Sequence, residues 1–231
     1  MHPVAIPREI IERMLERRGH LHLFDAIAPK RTALVVIDMQ HAFLEPGAPS
    51  ETPVAREIVP NINRLAAAVR AAGGVVAWTQ GSFERSGPHS WPLFFQTMVN
   101  PSRSEAILDA LTEGHPGHAL WSGLDVQPDD LRVAKRRYSA FFPGACELPE
   151  WLRARDVDTV IIAGTLTNVC CEASARDAMM ADFRVFMVSD ANAARSDAEH
   201  VATLATVVQF FGDVRSTDEV LALLAHQPVP L

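Results

Sequence analysis

Short apolar runs that alternate with amphipathic stretches constrain the fold of this chain most strongly. Stretches such as 61–72 carry apolar residues at helical spacing between runs that are apolar throughout. Strands that are apolar on both faces are typical of a parallel sheet covered by helices on either side. We therefore predict a single doubly wound α/β domain with a mostly parallel six-stranded sheet. The predicted strands are residues 32–38, 75–78, 131–134, 159–163, 184–189 and 213–215.

The length of the chain fits one large domain with a short additional segment at its start. A chain of 231 residues suits a single domain. Residues 1–30 stand outside the alternation of strands and helices, and residues 7–18 are typical of a short amphipathic helix. We therefore predict an N-terminal arm at residues 1–30 and the α/β domain at residues 31–231. Ser102 and Glu105 form a capping-box pattern, which predicts the start of a further helix.

Charge and cysteine content argue against several classes of protein. The net charge is −7 and the basic residues do not cluster, which argues against a nucleic-acid partner. No apolar run approaches the roughly 20 residues of a membrane span, and the first residues lack the profile of a signal peptide. Three cysteines, two of them adjacent, cannot form a disulfide framework. We therefore expect a cytoplasmic protein without nucleic-acid or membrane partners.

Three chemically reactive side chains stand at or just after the ends of predicted strands. Asp38 closes the first strand, Lys135 follows the third, and Cys170 comes after the fourth strand and a turn. Ligands of doubly wound sheets bind outside the carboxyl ends of the strands. Each residue alone has an ordinary explanation: a turn-forming aspartate, a solvated lysine or a buried cysteine. Their convergence at one edge of the sheet favours a shared site.

The position of Cys170 suits acyl transfer if the next helix begins at Thr167 or Asn168. In the first turn of a helix, unpaired N–H groups and the helix dipole lower the pKa of a thiol. The same N–H groups can hold an oxyanion. Asp38 is then the expected acid and base, while the Lys135 ammonium keeps the aspartate ionised and lowers the thiol pKa further.

Other side chains near these strand ends are candidates for binding a substrate. Gln40 is suited to hydrogen-bond a substrate or to orient Asp38, whereas Gln80 and Asn168 are suited to bind a ureido or carboxamide group. Ordinary core packing is the alternative for each aromatic candidate. The aromatic candidates for an apolar wall are Phe43, Trp78, Tyr138 and Phe141.

The sequence predicts neither a metal site nor an organic cofactor. Residues 78–83 contain no histidine, and His115 and His118 lie in a Gly/Pro-rich stretch too irregular for two ligands on one helix. Gly73 and Gly74 stop a helix and do not form a G-x-G-x-x-G dinucleotide fingerprint. We therefore expect a small-molecule substrate as the main partner.

Three segments resemble the isochorismatase-like cysteine hydrolases. They are IDMQ at 37–40, KRRYSAF at 135–141 and GTLTNVCCEASARDA at 164–178, within a resemblance that spans residues 31–225. This superfamily includes nicotinamidases, N-carbamoylsarcosine amidases and ureidoacrylate amidohydrolases. The resemblance implies a catalytic triad of Asp38, Lys135 and Cys170, with Cys171 at a position that is usually apolar.

The resemblance also implies features that the residues alone do not reveal. It implies a cis peptide bond between Thr165 and Leu166, and an oxyanion hole formed by the backbone N–H groups of Leu166 and Cys170. It further implies a homo-oligomer, either a dimer or a tetramer.

We therefore predict a cysteine-dependent hydrolase that cleaves a C–N bond in a small amide, ureido or carbamoyl compound through a thioester. The segments that follow the lysine and contain the cysteine are most similar to those of the ureidoacrylate and carbamoyl amidohydrolases. Two alternatives stay open. One is vinyl ether hydrolysis of the isochorismatase type, with Asp38 as the acid and Cys170 as a bystander, and the other is a non-catalytic binding protein of the same fold.

Overall fold

A six-stranded sheet forms the centre of the protein. The computed structural model describes residues 1–3 and 5–226. The strand order is β3-β2-β1-β4-β5-β6, and every pairing is parallel. This sheet, with helices around it, confirms the predicted doubly wound α/β fold. The strands are β1 (Thr32–Ile37), β2 (Val75–Gly81), β3 (Leu131–Lys135), β4 (Thr159–Thr165), β5 (Arg184–Ala193) and β6 (Asp213–Arg215).

Helices connect the strands and cover the sheet. The chain winds outward from β1 to β3 and then returns to add β4 on the other side of β1. The order of the strands therefore reverses between β1 and β4, and ligands of such sheets bind at this point. The helices are α1 (Arg8–Arg18), α2 (His41–Leu44), α3 (Val59–Ala71), α4 (Pro101–Ala110), α5 (Leu148–Arg153), α6 (Glu172–Met180), α7 (Asp197–Phe210) and α8 (Thr217–Ala225).

The two faces of the sheet explain why β1 is apolar without interruption. Leu34 and Val36 pack into a core shared with α3 and α8, whereas Val35 and Ile37 pack into a second core shared with α5, α6 and α7. All four side chains are fully buried. Complete burial of one such side chain stabilises the fold by about 1.5–3 kcal/mol, so a polar residue on either face would be costly.

Element boundaries differ from the sequence-based prediction at two kinds of position. Strands β2, β4 and β5 extend beyond the apolar runs to Gly81, Thr165 and Ala193, because the residues after each run still pair within the sheet. The prediction that Ser102 begins a helix is wrong by two residues. Asn100 is the N-cap of α4, and its side chain accepts a hydrogen bond of 3.0 Å from the N–H of Arg103.

The N-terminal segment packs along one side of the domain. Helix α1 contacts α7, where Arg13 donates a hydrogen bond of 3.1 Å to the Gln209 side chain, and it ends at Gly19 with φ of 80°. The division into an arm (1–30) and a domain (31–231) stays a prediction, and residues 227–231 lie outside the described residues. No helix within residues 1–3 and 5–226 is both long and apolar enough to span a bilayer.

Candidate active site

Asp38 stands where β1 ends at the reversal of strand order. Its backbone adopts a left-handed conformation with φ of 52°, which aspartate tolerates better than most residues. Its N–H donates a hydrogen bond of 3.1 Å to the carbonyl of Thr79 on β2. The carboxylate is buried, and its Oδ1 atom has no hydrogen-bond partner among the described residues. One carboxylate oxygen is therefore available to accept a proton.

Lys135 brings a buried ammonium to this carboxylate. Its Nζ lies 2.9 Å from Asp38 Oδ2, and only 1% and 2% of the two side chains are exposed. The same ammonium donates a hydrogen bond of 2.8 Å to the carbonyl of Arg137. Burial by itself lowers the pKa of Lys135, but the charge of the Asp38 carboxylate outweighs it and raises the pKa above its ordinary value. Lys135 therefore stays charged at neutral pH.

Gly81 lies beside this ion pair. It pairs with Lys135 between β2 and β3, so it lies on the strand that separates Lys135 from β1. A Cβ atom built on Gly81 would lie 3.8 Å from Asp38 Oδ1 and 3.4 Å from Gln40 Oε1. The Gln40 side chain fixes this strand end, because Oε1 accepts from the Gly81 N–H at 2.8 Å and Nε2 donates to the Gly81 carbonyl at 3.2 Å.

Cys170 reaches the same place from the end of β4. The chain leaves the strand through a cis peptide bond between Thr165 and Leu166 and enters a five-residue π-helical turn, Thr167–Cys171, that continues into α6. The Lys135 ammonium lies 3.6 Å from Cys170 Sγ. The neighbouring Cys171 is fully buried in the core between the sheet and α6. Of the two adjacent cysteines, Cys170 is therefore the one at the ion pair.

Close backbone contact fixes the position of this turn relative to Asp38. Gly164 pairs with Ile37 across β1 and β4 and has a φ of 122°. A Cβ atom at Gly164 would lie 2.2 Å from the carbonyl oxygen of Ile37, which no real side chain tolerates. Glycine at this position therefore allows the end of β4 to lie directly against the residue that precedes Asp38.

The structure corrects the expectation of a lowered thiol pKa. Burial raises the pKa of Cys170 to about 12, because the Lys135 ammonium only partly offsets it and the Asp38 carboxylate raises it further. Cys170 is 7% exposed and lies in a turn before α6. The loss of water around the thiol therefore raises its pKa by more than a position at a helix start would lower it. Cys170 is therefore a thiol in the resting protein.

The backbone next to Cys170 offers a donor for an oxyanion. The Leu166 carbonyl accepts from the N–H groups of Val169 and Cys171, both at 3.1 Å. The Leu166 N–H itself donates to no acceptor in the part of the chain that the structure describes. Both Leu166 and Cys170 line the same cavity. Leu166 is partly exposed at this cavity, so its N–H is available to a bound ligand.

A cavity of about 390 Å³ connects these groups to the surface. Asp38, Lys135 and Cys170 all line it, as do the predicted Phe43 and Tyr138. Most of the remaining wall comes from residues 83–111, between β2 and β3. The sequence indicates that the loop 82–125 shapes the pocket but identifies none of its residues as a candidate, although the apolar residues at 91–95 outside any strand pattern were a signal. The residues that it adds include Phe83, Phe94, Met98, Val99, Arg103, Ile107 and Leu111.

Two predicted aromatic residues are not at the cavity. Trp78 is fully buried on the β2 face that packs against α3, and its Nε1 donates a hydrogen bond of 2.7 Å to Asp130. Phe141 packs edge-on against Phe183, at 5.4 Å between ring centroids, in the core on the opposite face. The expectation that they form the pocket wall is therefore wrong for both residues. The alternation of side chains along β2 directs Trp78 to the α3 face, and Phe141 is held in the core by its packing.

The predicted polar residues also have other roles. Gln40 braces Gly81 and donates to the carbonyl of His118 at 2.8 Å, and Gln80 donates to the same carbonyl at 2.8 Å beside a separate depression. Asn168 does not line the cavity, and its Oδ1 is buried without a hydrogen-bond donor among the described residues. Gln40 and Gln80 therefore hold the loop at His118, whereas the described contacts give Asn168 no such role.

The described residues contain no group of three or more His, Cys, Asp or Glu side chains arranged to hold a metal ion. His118, a histidine of the Gly/Pro-rich stretch, lies with its Nε2 2.7 Å from the Ser82 hydroxyl. Burial lowers the pKa of His118, so this side chain is neutral and serves the local hydrogen bonding.

Comparison with known proteins identifies the family. The model of the isochorismatase domain matches residues 32–219. The chain belongs to the isochorismatase family. Ureidoacrylate amidohydrolase RutB from Methylobacterium radiotolerans is 32% identical over 219 residues, which cover 88% of this chain and 84% of the relative. The corresponding protein of Caulobacter vibrioides is 32% identical over 204 residues, covering 83% and 90%.

Solved structures of the isochorismatase family share the fold. A cysteine hydrolase from Pseudomonas syringae pv. phaseolicola 1448A is similar with a TM-score of 0.79 and 32% identity, covering 88% of this chain and 97% of that one. The matching sequences and structures together show that the protein is a hydrolase of the isochorismatase family. Its relatives include amidohydrolases.

Proposed function

We propose that this chain is a cysteine-dependent hydrolase that cleaves a C–N bond in an amide, ureido or carbamoyl compound through a thioester. The observation that carries the proposal is the position of Cys170 Sγ, 3.6 Å from an ammonium that is itself 2.9 Å from Asp38, on one cavity. The amidohydrolase relatives support C–N hydrolysis, and their names make ureidoacrylate the first compound to test.

The first half of the reaction forms the thioester. Because burial keeps Cys170 protonated, the thiol needs a base at the moment of attack. Asp38 takes the thiol proton, and the thiolate attacks the carbonyl carbon of the substrate. The N–H groups of Leu166 and Cys170 donate to the resulting oxyanion. Asp38 then gives its proton to the departing nitrogen, the C–N bond breaks, and ammonia or an amine leaves.

The second half restores the thiol. Asp38 takes a proton from a water molecule, whose oxygen attacks the thioester carbonyl. The C–S bond breaks, the acid product leaves, and the sulfur takes the proton back from Asp38. The Lys135 ammonium stays charged throughout and stabilises negative charge first on Asp38 and then on the sulfur. No step requires a group beyond these three side chains, two backbone N–H groups and water.

The test is ammonia release by the wild type and by two adjacent cysteine variants. The panel is ureidoacrylate, N-carbamoyl amino acids, nicotinamide, maleamate and biuret. Isochorismate is tested separately by release of pyruvate, because it contains no nitrogen. We expect Cys170→Ala to lower kcat/KM by at least about 10³-fold, as loss of a nucleophile does in other catalytic triads. Cys171→Ala is the matched control, because Cys171 lies in the core beside α6 and not at the cavity. It should stay within a few-fold of the wild type.

Trapping distinguishes the thioester from other mechanisms. Acid quenching during turnover, followed by intact-mass measurement, should show an acyl group on the wild type that is absent from Cys170→Ala. Activity retained by a folded Cys170→Ala protein would exclude the proposal. Cleavage of isochorismate, with retained activity in that variant, would instead support vinyl ether hydrolysis.

Two further expectations from the sequence stay predictions. A homo-oligomer is expected by resemblance, and light scattering after size-exclusion chromatography measures its mass. A cytoplasmic location is expected from the cysteine content, and fractionation of cells that express the protein tests it.

A further inference from the structure

A buried hydrogen bond ties the turn that carries Cys170 to helix α7. This cysteine turn, Thr167–Cys171, begins with Thr167, which is fully buried although its side chain is polar. The Thr167 hydroxyl oxygen lies 2.9 Å from Nδ1 of His200 on α7. A buried hydroxyl needs such a partner, because an unpaired polar group is costly away from water. The cysteine turn is therefore held from outside at its first residue.

His200 meets Thr167 as a neutral side chain. The residue lies near the start of α7 and is fully buried. Burial lowers the pKa of His200 to about 4, so the ring carries no charge at neutral pH. A neutral imidazole has one donor and one acceptor nitrogen, and a hydroxyl can pair with either. His200 does not line the cavity, so it can act on the site only through the cysteine turn.

His2 of the N-terminal segment covers the imidazole of His200. The two rings stack with 4.7 Å between their centroids and 22° between their planes. Both ring nitrogens of His2 are occupied: Nδ1 donates to the Asp197 carboxylate at 2.7 Å, and Nε2 lies 3.0 Å from the Ala194 nitrogen. His2 is itself buried. The position of the His200 ring therefore depends on a residue from the far end of the chain.

The same contacts reach the strand end from which the cysteine turn departs. Ala193, the residue before Ala194, pairs with Thr165 between β5 and β4. The Thr165 hydroxyl donates to the Ala193 carbonyl at 3.3 Å. The end of β4, the His200 ring and the anchored His2 therefore form one connected unit around the start of the turn.

A shift of the cysteine turn would move two groups of the site at once. Cys170 belongs to the same turn as Thr167, and its Sγ lies 3.6 Å from the Lys135 ammonium. The Leu166 N–H, the expected oxyanion donor, immediately precedes the turn. Displacement of a reacting group by about 1 Å can lower a rate by about 10²-fold. The contact between Thr167 and α7 therefore lies where a small change has a large effect on catalysis.

We infer that His200 and His2 are positioning residues for Cys170. His200 holds the cysteine turn through the Thr167 hydroxyl, and His2 holds the His200 ring. The effect on rate rests on the proposed function, whereas the support of the turn does not depend on which reaction the site performs. Neither histidine lines the cavity, so neither is a catalytic residue.

Threonine variants test the hydrogen bond, with any compound that the wild type hydrolyses. Thr167→Val keeps the shape of the side chain and removes the hydroxyl, so kcat should fall at least about tenfold while KM stays within about threefold. Thr167→Ser restores the hydroxyl and should recover kcat to within about threefold of the wild type. Thr217→Val is the matched control, because Thr217 is equally buried and its hydroxyl donates to Asp190 at 2.7 Å, outside the cysteine turn. A wild-type kcat in folded Thr167→Val, or an equal loss in Thr217→Val, would overturn the inference.

A double-mutant cycle tests whether His200 acts through Thr167. His200→Leu should lower kcat at least about tenfold. Thr167→Val should cause little further loss in that background, because both changes remove the same hydrogen bond. Fold losses that multiply would show independent effects and would overturn the inference.

The role of His2 has a matched control in the same segment. His2→Ala should lower kcat at least about threefold, because the His200 ring loses its stacking partner. His22→Ala removes another histidine of the N-terminal segment, whose Nδ1 lies 2.9 Å from buried Asp213, and should keep the wild-type kcat. Equal kcat in the two variants would overturn the assignment of His2.

Hydrogen exchange keeps this inference separate from the proposed chemistry. The N–H groups of Val169 and Cys171 close the turn by donating to the Leu166 carbonyl, so their exchange reports its opening. Peptides that contain them should exchange at least about tenfold faster in Thr167→Val but not in Thr217→Val, while β1 keeps the wild-type rate in both. Faster exchange without hydrolysis of any tested compound by the wild type would refute the proposed function and leave the support of the turn standing. Unchanged exchange would overturn the inference even if hydrolysis occurred.

Discussion

Removal of the Lys135 ammonium should destabilise the protein strongly. In the variant Lys135→Met the Asp38 carboxylate keeps its charge and its burial but loses the partner at 2.9 Å. Breaking a buried ion pair from one side costs about 3–5 kcal/mol. For a domain of this length, that corresponds to a fall in Tm of about 6–20 °C. Urea unfolding followed by circular dichroism measures the free energy of unfolding directly.

The double variant Asp38→Asn with Lys135→Met provides the control. It removes both charges, and replacement of a buried pair by neutral residues is often close to neutral in stability. We therefore expect the double variant to unfold at higher urea than Lys135→Met alone, although it lacks two members of the triad. A loss below about 1 kcal/mol in Lys135→Met would be typical of an exposed pair and would refute the reasoning from burial.

Three other perturbations test particular contacts. Gly164→Ala should lower the free energy of unfolding by about 1–3 kcal/mol more than Gly114→Ala. Both glycines have a positive φ, but only a Cβ at Gly164 would clash with the backbone. Equal losses of stability in urea titrations of the two variants would contradict this contact. Burial, with a smaller contribution from His2, lowers the pKa of His200 to about 4, so stability should fall by about 3 kcal/mol as pH drops from 6.5 to 4. His200→Gln should lack that loss in unfolding experiments over the same range. Alkylation of Cys170 by iodoacetamide, followed by peptide mass spectrometry, should accelerate about tenfold per pH unit from 7 to 10, because its pKa is about 12; a plateau below pH 9 would contradict this.

Local sequence patterns are enough to predict the sheet and the proximity of the three side chains. Apolar runs identify the strands, and the carboxyl ends of parallel strands lie at one edge. Asp38, Lys135 and Cys170 each stand at or just after such an end, so their proximity follows once the strands are known. The 2.9 Å and 3.6 Å contacts follow from no local pattern, since they depend on the register of β1, β2 and β3.

The remaining features depend on contacts between distant parts of the chain. The cavity wall needs residues 83–111 to fold over the sheet, where Phe83 packs with Ile107 across a loop and a helix. Burial of Cys170 likewise depends on tertiary packing, so the raised thiol pKa could not be predicted from a position before a helix. Trp78 was misassigned because it ends the apolar run, whereas β2 continues to Gly81 and Trp78 lies on the face of the sheet that packs against α3.

The separation of the triad from the cavity wall has a consequence for how this protein can diversify. The reacting groups stand on β1, β3 and the turn after β4, whereas residues 83–111 form most of the wall around a small core of their own. Exchange of that one segment between relatives would change which compounds enter the cavity. The reacting groups themselves would stay in place. Mutagenesis for new substrates is therefore best concentrated there, with Gly164 left unaltered.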